Sequence, residues 1–214
     1  MNAGLCNLAT LRRHLLAAGS MADERRFDEV LTDLGRGVAA EFDRRCNRRL
    51  AYLAGDTITI TGNRAHFTLP RYPLVEVTKV ETRASDADAW TEDTAQPYRT
   101  QAEAGMVFFG GELGGVETQV RLTWTGGYWF ETLEPDEDGY PASAPDPDAI
   151  ALPADLLHAF LLHCRAVWQS LDKVGADLLR TGSSSQFVTG SIGSLDLSPV
   201  VSATLRHYTR YAMS

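Results

Sequence analysis

The chain has 214 residues, 44% of them apolar, with 28 acidic against 20 basic side chains and a formal charge of −8. That content excludes a disordered chain and supports one globular domain with room for an inserted subdomain, while the acidic balance argues against non-specific nucleic-acid binding, which needs an excess of Lys and Arg on the approaching face. No apolar run approaches the roughly 18 residues of a membrane span and no basic-plus-apolar leader opens the chain, so a soluble protein made in the cytoplasm, without membrane contact, is expected.

From the N-terminus, Leu8, Leu11, Leu15 and Leu16 form a short apolar stripe that Gly19 should end. A longer amphipathic helix follows from about Asp23 to Arg49, with Phe27, Val30, Leu31, Leu34, Val38, Phe42 and Cys46 on one face. Ser20 is the expected N-cap, Asp23 and Glu24 suit the positive end of the dipole, and Arg44, Arg45, Arg48 and Arg49 suit the negative end. The two segments together predict an αα-hairpin.

After Arg49 the period changes to two. Thr57 to Thr61 reads as a strand, Gly62-Asn63 as a turn, and His66 to Leu69 as the returning strand of a hairpin. Pro70 and Pro73 bracket a bend before the β-rich stretch Leu74 to Thr82, with Val75, Val77 and Val80. Tyr98 to Thr100, Met106 to Phe109 and Gln119 to Thr125 complete a small antiparallel sheet or barrel of about five strands, the last showing Val120, Leu122 and Trp124 on one face. Residues 131–150 carry seven carboxylates, Glu131, Glu134, Asp136, Glu137, Asp138, Asp146 and Asp148, without a Lys or Arg and read as an exposed acidic loop. Pro153 then opens a second large helix with the stripe Leu156, Leu157, Phe160, Leu161, Cys164, Val167, Trp168 and Leu171. Pairing this stripe with the Phe27-to-Cys46 face over about 1,000 Å² would contribute about 25 kcal/mol before ordering entropy, so helix pairing should set the architecture. Beyond it, 175–197 is a Gly/Ser-rich arm with a weak strand candidate at Ser191 to Leu197, and Ser198-Pro199 caps a final short helix bearing Val200, Val201, Leu205, Tyr208 and Tyr211. That helix docks either on its own core or on a neighbouring subunit.

The expected fold is therefore α+β: a helical core from 1–50 and 151–174, with an N-terminal αα-hairpin and a long helix near 153–172, an inserted small antiparallel β subdomain over 51–130, an acidic loop over 131–150, and a C-terminal arm with a short helix over 175–214.

Chemistry-bearing patterns are sparse. Three cysteines, Cys6, Cys46 and Cys164, form no close pair and read as reduced core residues. His163-Cys164 is the one nucleophile–base adjacency, but neighbouring helical residues diverge by about 100°. His158 and His163 miss the three- or four-residue spacing of a helical metal pair, Gly110-Gly111 and Gly114-Gly115 lack the Lys-Ser/Thr of a phosphate loop, and the acidic loop lacks calcium-loop spacing. Trp90, Trp124, Tyr128 and Trp129 could form an aromatic platform for a sugar, against which Trp124 alternates like a core strand residue. No catalytic, metal or cofactor site is expected. Arg44, Arg45, Arg48 and Arg49 remain as a candidate interface for acidic groups, beside their dipole-complementing role.

The helix end Ala40-Glu41-Phe42-Asp43-Arg44-Arg45-Cys46-Asn47-Arg48-Arg49-Leu50, then Leu69-Pro70-Arg71-Tyr72-Pro73-Leu74-Val75-Glu76-Val77, then Val120-Arg121-Leu122-Thr123-Trp124-Thr125-Gly126-Gly127-Tyr128, resembles in order the head-completion (head-tail connector or adaptor) proteins of tailed bacteriophages. Leu152-Pro153-Ala154-Asp155 opening a helix with Trp168, the stretch Ser191 to Ser198, and the closing Leu205-Arg206-His207-Tyr208-Thr209-Arg210-Tyr211 extend the resemblance over most of the chain. It implies a non-enzymatic helical core with a β insertion, assembled as a ring, commonly of twelve copies, beneath the portal protein, linked to the next neck or tail protein, with DNA passing through the lumen without specific binding. On that resemblance Arg44, Arg45, Arg48 and Arg49 are assigned to subunit or portal contacts, and Leu205, Tyr208, Arg210 and Tyr211 to docking of the arm on the portal or a neighbour. The acidic loop is where this chain departs from the family pattern.

Overall fold

A computed structural model describes residues 2–16, 25–93, 97–140, 144–181 and 196–210, with the side chains of Arg26 and of 171–181 left aside. Two compact units emerge: one from Met1–Asn47, Phe130–Ser143 and Leu152–Ser214, the other from Arg48–Trp129 and Ala144–Ala151. The architecture is α+β, with helices in the first unit and antiparallel sheets in the second.

In the helical unit, α1 (Leu8–Leu15) starts at Asn7, whose Oδ1 accepts from the Thr10 amide at 2.7 Å, and buries Leu8 and Leu11. It ends at Leu15, before Gly19 is reached. A 3₁₀ turn (Arg25–Phe27) leads into α2 (Asp28–Cys46), shorter at both ends than its apolar period suggested; the expected Ser20 cap and the Asp23-Glu24 turn lie outside the described residues. Leu31, Leu34, Val38, Phe42 and Cys46 are buried, whereas Val30 is 49% exposed because it sits at the edge of the stripe. Gly35 weakens a helix interior in principle, but a Cβ there would lie 2.2 Å from the Ala3 carbonyl oxygen, so glycine is what lets the N-terminal chain cross α2 closely. Arg12 grips Asp28 with two bonds of 2.8 Å, tying α1 to the start of α2.

The helix α3 (Ala154–Thr181) runs past the predicted end near 172, so 175–181 is helix and not arm. Its stripe meets α2 as expected: Phe42 packs edge-on against Phe160 at 6.0 Å and stacks on His163 at 6.1 Å, and Phe27 meets Trp168 edge-on at 5.9 Å. The weak strand candidate at 191–197 falls largely outside the described residues, and 196–197 carry no strand. The last helix, α4 (Pro199–Tyr208), is capped by Ser198, whose Oγ accepts from the Val201 amide at 3.3 Å. Val201 and Leu205 are buried against α2 and α3.

The β unit holds β1 (Leu53–Thr61), β2 (His66–Thr68), β3 (Leu74–Arg83), β4 (Thr91–Glu92), β5 (Tyr98–Gln101), β6 (Met106–Phe109) and β7 (Gln119–Gly126). They form two antiparallel sheets, β1-β7-β3-β4 and β2-β6-β5. The hairpin expected across Gly62-Asn63 is overturned: β1 pairs with β7 and β2 with β6, and the Gly62 amide bonds instead to the Thr118 carbonyl at 2.7 Å. Both sheets turn their apolar faces onto one core, in which Val107, Val120, Leu122 and Trp124 are wholly buried. A register shift between Val77 and Lys79 breaks the period of two in β3 and lets Val77 and Val80 both point inward.

A candidate subunit interface

The α2 helix ends because Asn47 adopts a left-handed conformation, φ 51°, and its amide turns back to the Arg44 and Asp43 carbonyls. The run of four arginines is divided by that turn. Arg44 and Arg45 occupy the last turn of α2, exposed, and both reach one carboxylate: Arg44 Nε lies 2.9 Å from Glu41 Oε2 and Arg45 Nε 2.6 Å from Oε1. Burial alone would raise the Glu41 carboxyl, but the hydrogen bonds from Arg45 and Arg44 outweigh it and hold the group below its ordinary value.

Arg48 and Arg49 belong to the β unit and have left the helix, so neither complements its dipole. Arg48 is 6% exposed, with its guanidinium carbon 3.5 Å from the Tyr72 ring centre and 5.2 Å from that of Tyr128, and Nη2 donating to the Tyr72 carbonyl. It is an interior cation, not a surface contact. Arg49 stays exposed; its amide donates to the Pro70 carbonyl at 2.8 Å and Nη1 lies 3.3 Å from both oxygens of Asp56. Asp56 also takes a 2.7 Å bond from the nearly buried Arg71, making a carboxylate held between two guanidinia.

The second predicted set is likewise split. Leu205 is buried, and its carbonyl lies 3.8 Å from Cys46 Sγ, so it seats α4 on the chain's own helices. Tyr208 donates its hydroxyl to Asp155 Oδ1 at 2.7 Å, and the Arg210 amide donates to the Cys46 carbonyl at 2.8 Å, bringing the C-terminal ends of α2 and α4 together. Tyr211 lies outside the described residues. Arg206 and His207, exposed in the last turn of α4, join Arg44 and Arg45 at this end. Their last-turn position was visible in the sequence; their proximity to α2 was not.

The acidic stretch is exposed along most of its described length, but it is anchored. Asn7 Nδ2 donates to the Leu133 carbonyl and the Ala9 amide to Glu134 Oε1, each at 3.0 Å, so Glu134 satisfies an open amide in the first turn of α1. Two further backbone bonds, Glu137 to Glu134 and Tyr140 to Glu137, fold 134–140 into consecutive turns.

Several of the remaining chemistry-bearing groups are buried. Burial pushes the Cys6 thiol up to about 12 and raises Cys164 further, and it lowers His163, which lies against Phe42; the adjacent pair on α3 therefore offers a neutral imidazole and a protonated thiol. Trp124 is wholly buried with Nε1 donating to the Arg71 carbonyl at 3.0 Å, and Trp90 lies between Arg83 and Arg121, each 4.5 Å from its ring, so no open aromatic platform forms from them. Among the described residues no group of three His, Cys, Asp or Glu is arranged to hold a metal, and no helix is long and apolar enough to cross a membrane.

Glu81 gives a pH dependence. Hydrogen bonds from Arg121 and then Lys79 lower its carboxyl from 4.5 to about 2 against the opposing effect of burial. The folded state thus binds fewer protons than the unfolded chain between those values, so the stability contributed is complete above pH 4.5 and lost as pH falls toward 2. In acid titrations of urea unfolding, Glu81→Gln should be less stable than the parent above pH 4.5, and the gap should close across that window; a gap constant with pH would refute it.

No family model matches the chain, and no curated protein matches it. Solved structures do. A chain of "Virion of native gene transfer agent (GTA) particle" aligns at 18% identity and TM-score 0.63, covering 100% of this chain and 94% of that one. Chains of "Neck of empty GTA particle computed with C6 symmetry" and "Neck of native GTA particle computed with C12 symmetry" align at 17% identity, with TM-scores of 0.59 and 0.54, each covering 100% of this chain and 95% of the other. The likeness is one of fold, and it runs end to end.

Proposed function

We propose that this chain is a structural subunit of a virion neck: a head-tail connector that assembles as a ring beneath the portal, extends the DNA channel and joins the capsid to the tail. The observation that carries the reading is the full-length correspondence of fold with chains of particle-neck structures, one of them computed with twelvefold symmetry. The motif order that resembles connector proteins points the same way.

Such a subunit acts by shape and charge. A ring needs two different faces of one chain to meet, and closure holds each copy twice, so each contact can be modest. Twelve copies at −8 would carry roughly −100, and with a screening length of about 8 Å the wall would repel DNA in passage and not retain it. Arg44, Arg45 and Arg49 are assigned to subunit or portal contacts because they are exposed; Arg48 is excluded as an interior residue.

The native mass, alone and after mixing with portal-bearing capsids, tests the reading. A ring of twelve 23.4 kDa chains weighs about 280 kDa. Changing Arg44, Arg45 and Arg49 to Glu should leave a folded chain that no longer joins capsids, and unimpaired attachment would remove the assignment. A second reading, another ring of the same neck such as a stopper or tail terminator, fits the same neck structures; electron microscopy of the protein's position in the particle separates the two.

A further inference from the structure

Two surfaces of the helical unit carry opposite charge that is only partly matched among the described residues. The first is the end at which α2 and α4 stop side by side, joined by the Arg210 amide on the Cys46 carbonyl. It exposes Arg44, Arg45, Arg206 and His207, with Glu41 and half-buried Asp43 as the acids of the adjoining turns of α2. One carboxylate for two guanidinia leaves Nη1 of Arg44 and both Nη groups of Arg45 without an acceptor among the described residues, and the same holds for the side chain of Arg206. Two helix C-termini add their negative dipole ends, which is why cations collect here in a chain that is acidic overall.

The second is the turn 134–140. It rides on the N-terminus of α1, held there by Asn7 and Ala9, and displays Asp136 and Asp138, neither of which has an ion pair among the described residues. Beside them Tyr140 is 41% exposed. An acidic stretch with no structural duty is normally left as solvated chain; this one is fixed in place, so ordering costs on contact are already met. The two surfaces use different helices and different chain segments, as a head-to-tail interface between identical copies requires.

We infer that the Asp136–Tyr140 turn of one copy docks on the Arg44/Arg45/Arg206 end of the next, forming the repeating contact of the ring. The inference rests on the ring reading above and specifies which faces meet. Charge complementarity selects a second copy as the occupant, because this chain carries both halves of the match.

The test is a charge swap read by native mass at low salt. Arg44→Glu/Arg206→Glu and Asp136→Arg/Asp138→Arg should each remain folded by circular dichroism and each lose self-association by about tenfold or more. Mixed in equal amounts, they should assemble again as alternating copies, since each reversed face now finds a reversed partner. Parent assembly should weaken as salt rises from ~0.1 M to ~1 M, where the screening length falls to ~3 Å. Parent rings whose variants assemble equally well, or folded variants that fail to rescue one another, overturn this contact alone. A parent chain that stays monomeric both in solution and on portal-bearing capsids overturns the ring reading with it.

Discussion

Asp56→Ala should unfold the β unit at far lower denaturant than the parent, by about 3–5 kcal/mol. Asp56 and Arg71 are 8% and 10% exposed at the side chain and 2.7 Å apart, and the Asp56 carboxylate also accepts from the Thr57 amide and from Arg49. Removing the acid leaves the Arg71 guanidinium desolvated with, among the described residues, only the Ala51 carbonyl to bond. The Arg71 carbonyl accepts from the indole of Trp124, so the tryptophan signal should report the damage directly. Replacing both partners with apolar residues, Asp56→Leu with Arg71→Met, should recover most of the loss, because no unpaired charge is then buried. A single Ala variant with parent-like unfolding would show that the pair contributes nothing.

The second large effect belongs to the helical unit. Phe42→Ala deletes a wholly buried ring that touches Phe160 and His163 across the α2–α3 seam, and should cost about 3–5 kcal/mol, or roughly 10 °C in the loss of the far-ultraviolet helical signal. Val30→Ala on the same helix, half exposed, should change stability by no more than about 0.5 kcal/mol. Equal effects at the two positions would mean that the seam does not hold the unit together. Two units with separate cores need not melt together, so each variant is followed by a signal from its own unit.

What could be read before the structure was known followed from local periodicity. Leu31 to Cys46 and Leu156 to Val167 announced their buried faces at helical spacing, and Val120, Leu122 and Trp124 announced theirs at strand spacing, because each pattern is written in consecutive residues. Pairing was not local. Gly62-Asn63 has the chemistry of a hairpin turn, yet β1 found β7 some sixty residues on, where cross-strand packing outweighed the nearby turn. The candidate interface failed in the same manner: four adjacent arginines looked alike, but Asn47 ends the helix between them, and Tyr72 and Tyr128, which enclose Arg48, come from distant points in the sequence. Asn at the end of a helical run was a usable signal for that break.

The sulfur chemistry of the chain has a practical outcome. Cys6, Cys46 and Cys164 are all buried and form no disulfide, and the two thiols raised by burial stay protonated at neutral pH. Thiol oxidation and alkylation act on thiolates that the reagent can reach, so the folded chain keeps these three sulfurs out of reach, and any labelling at these positions records an opening of the helical unit.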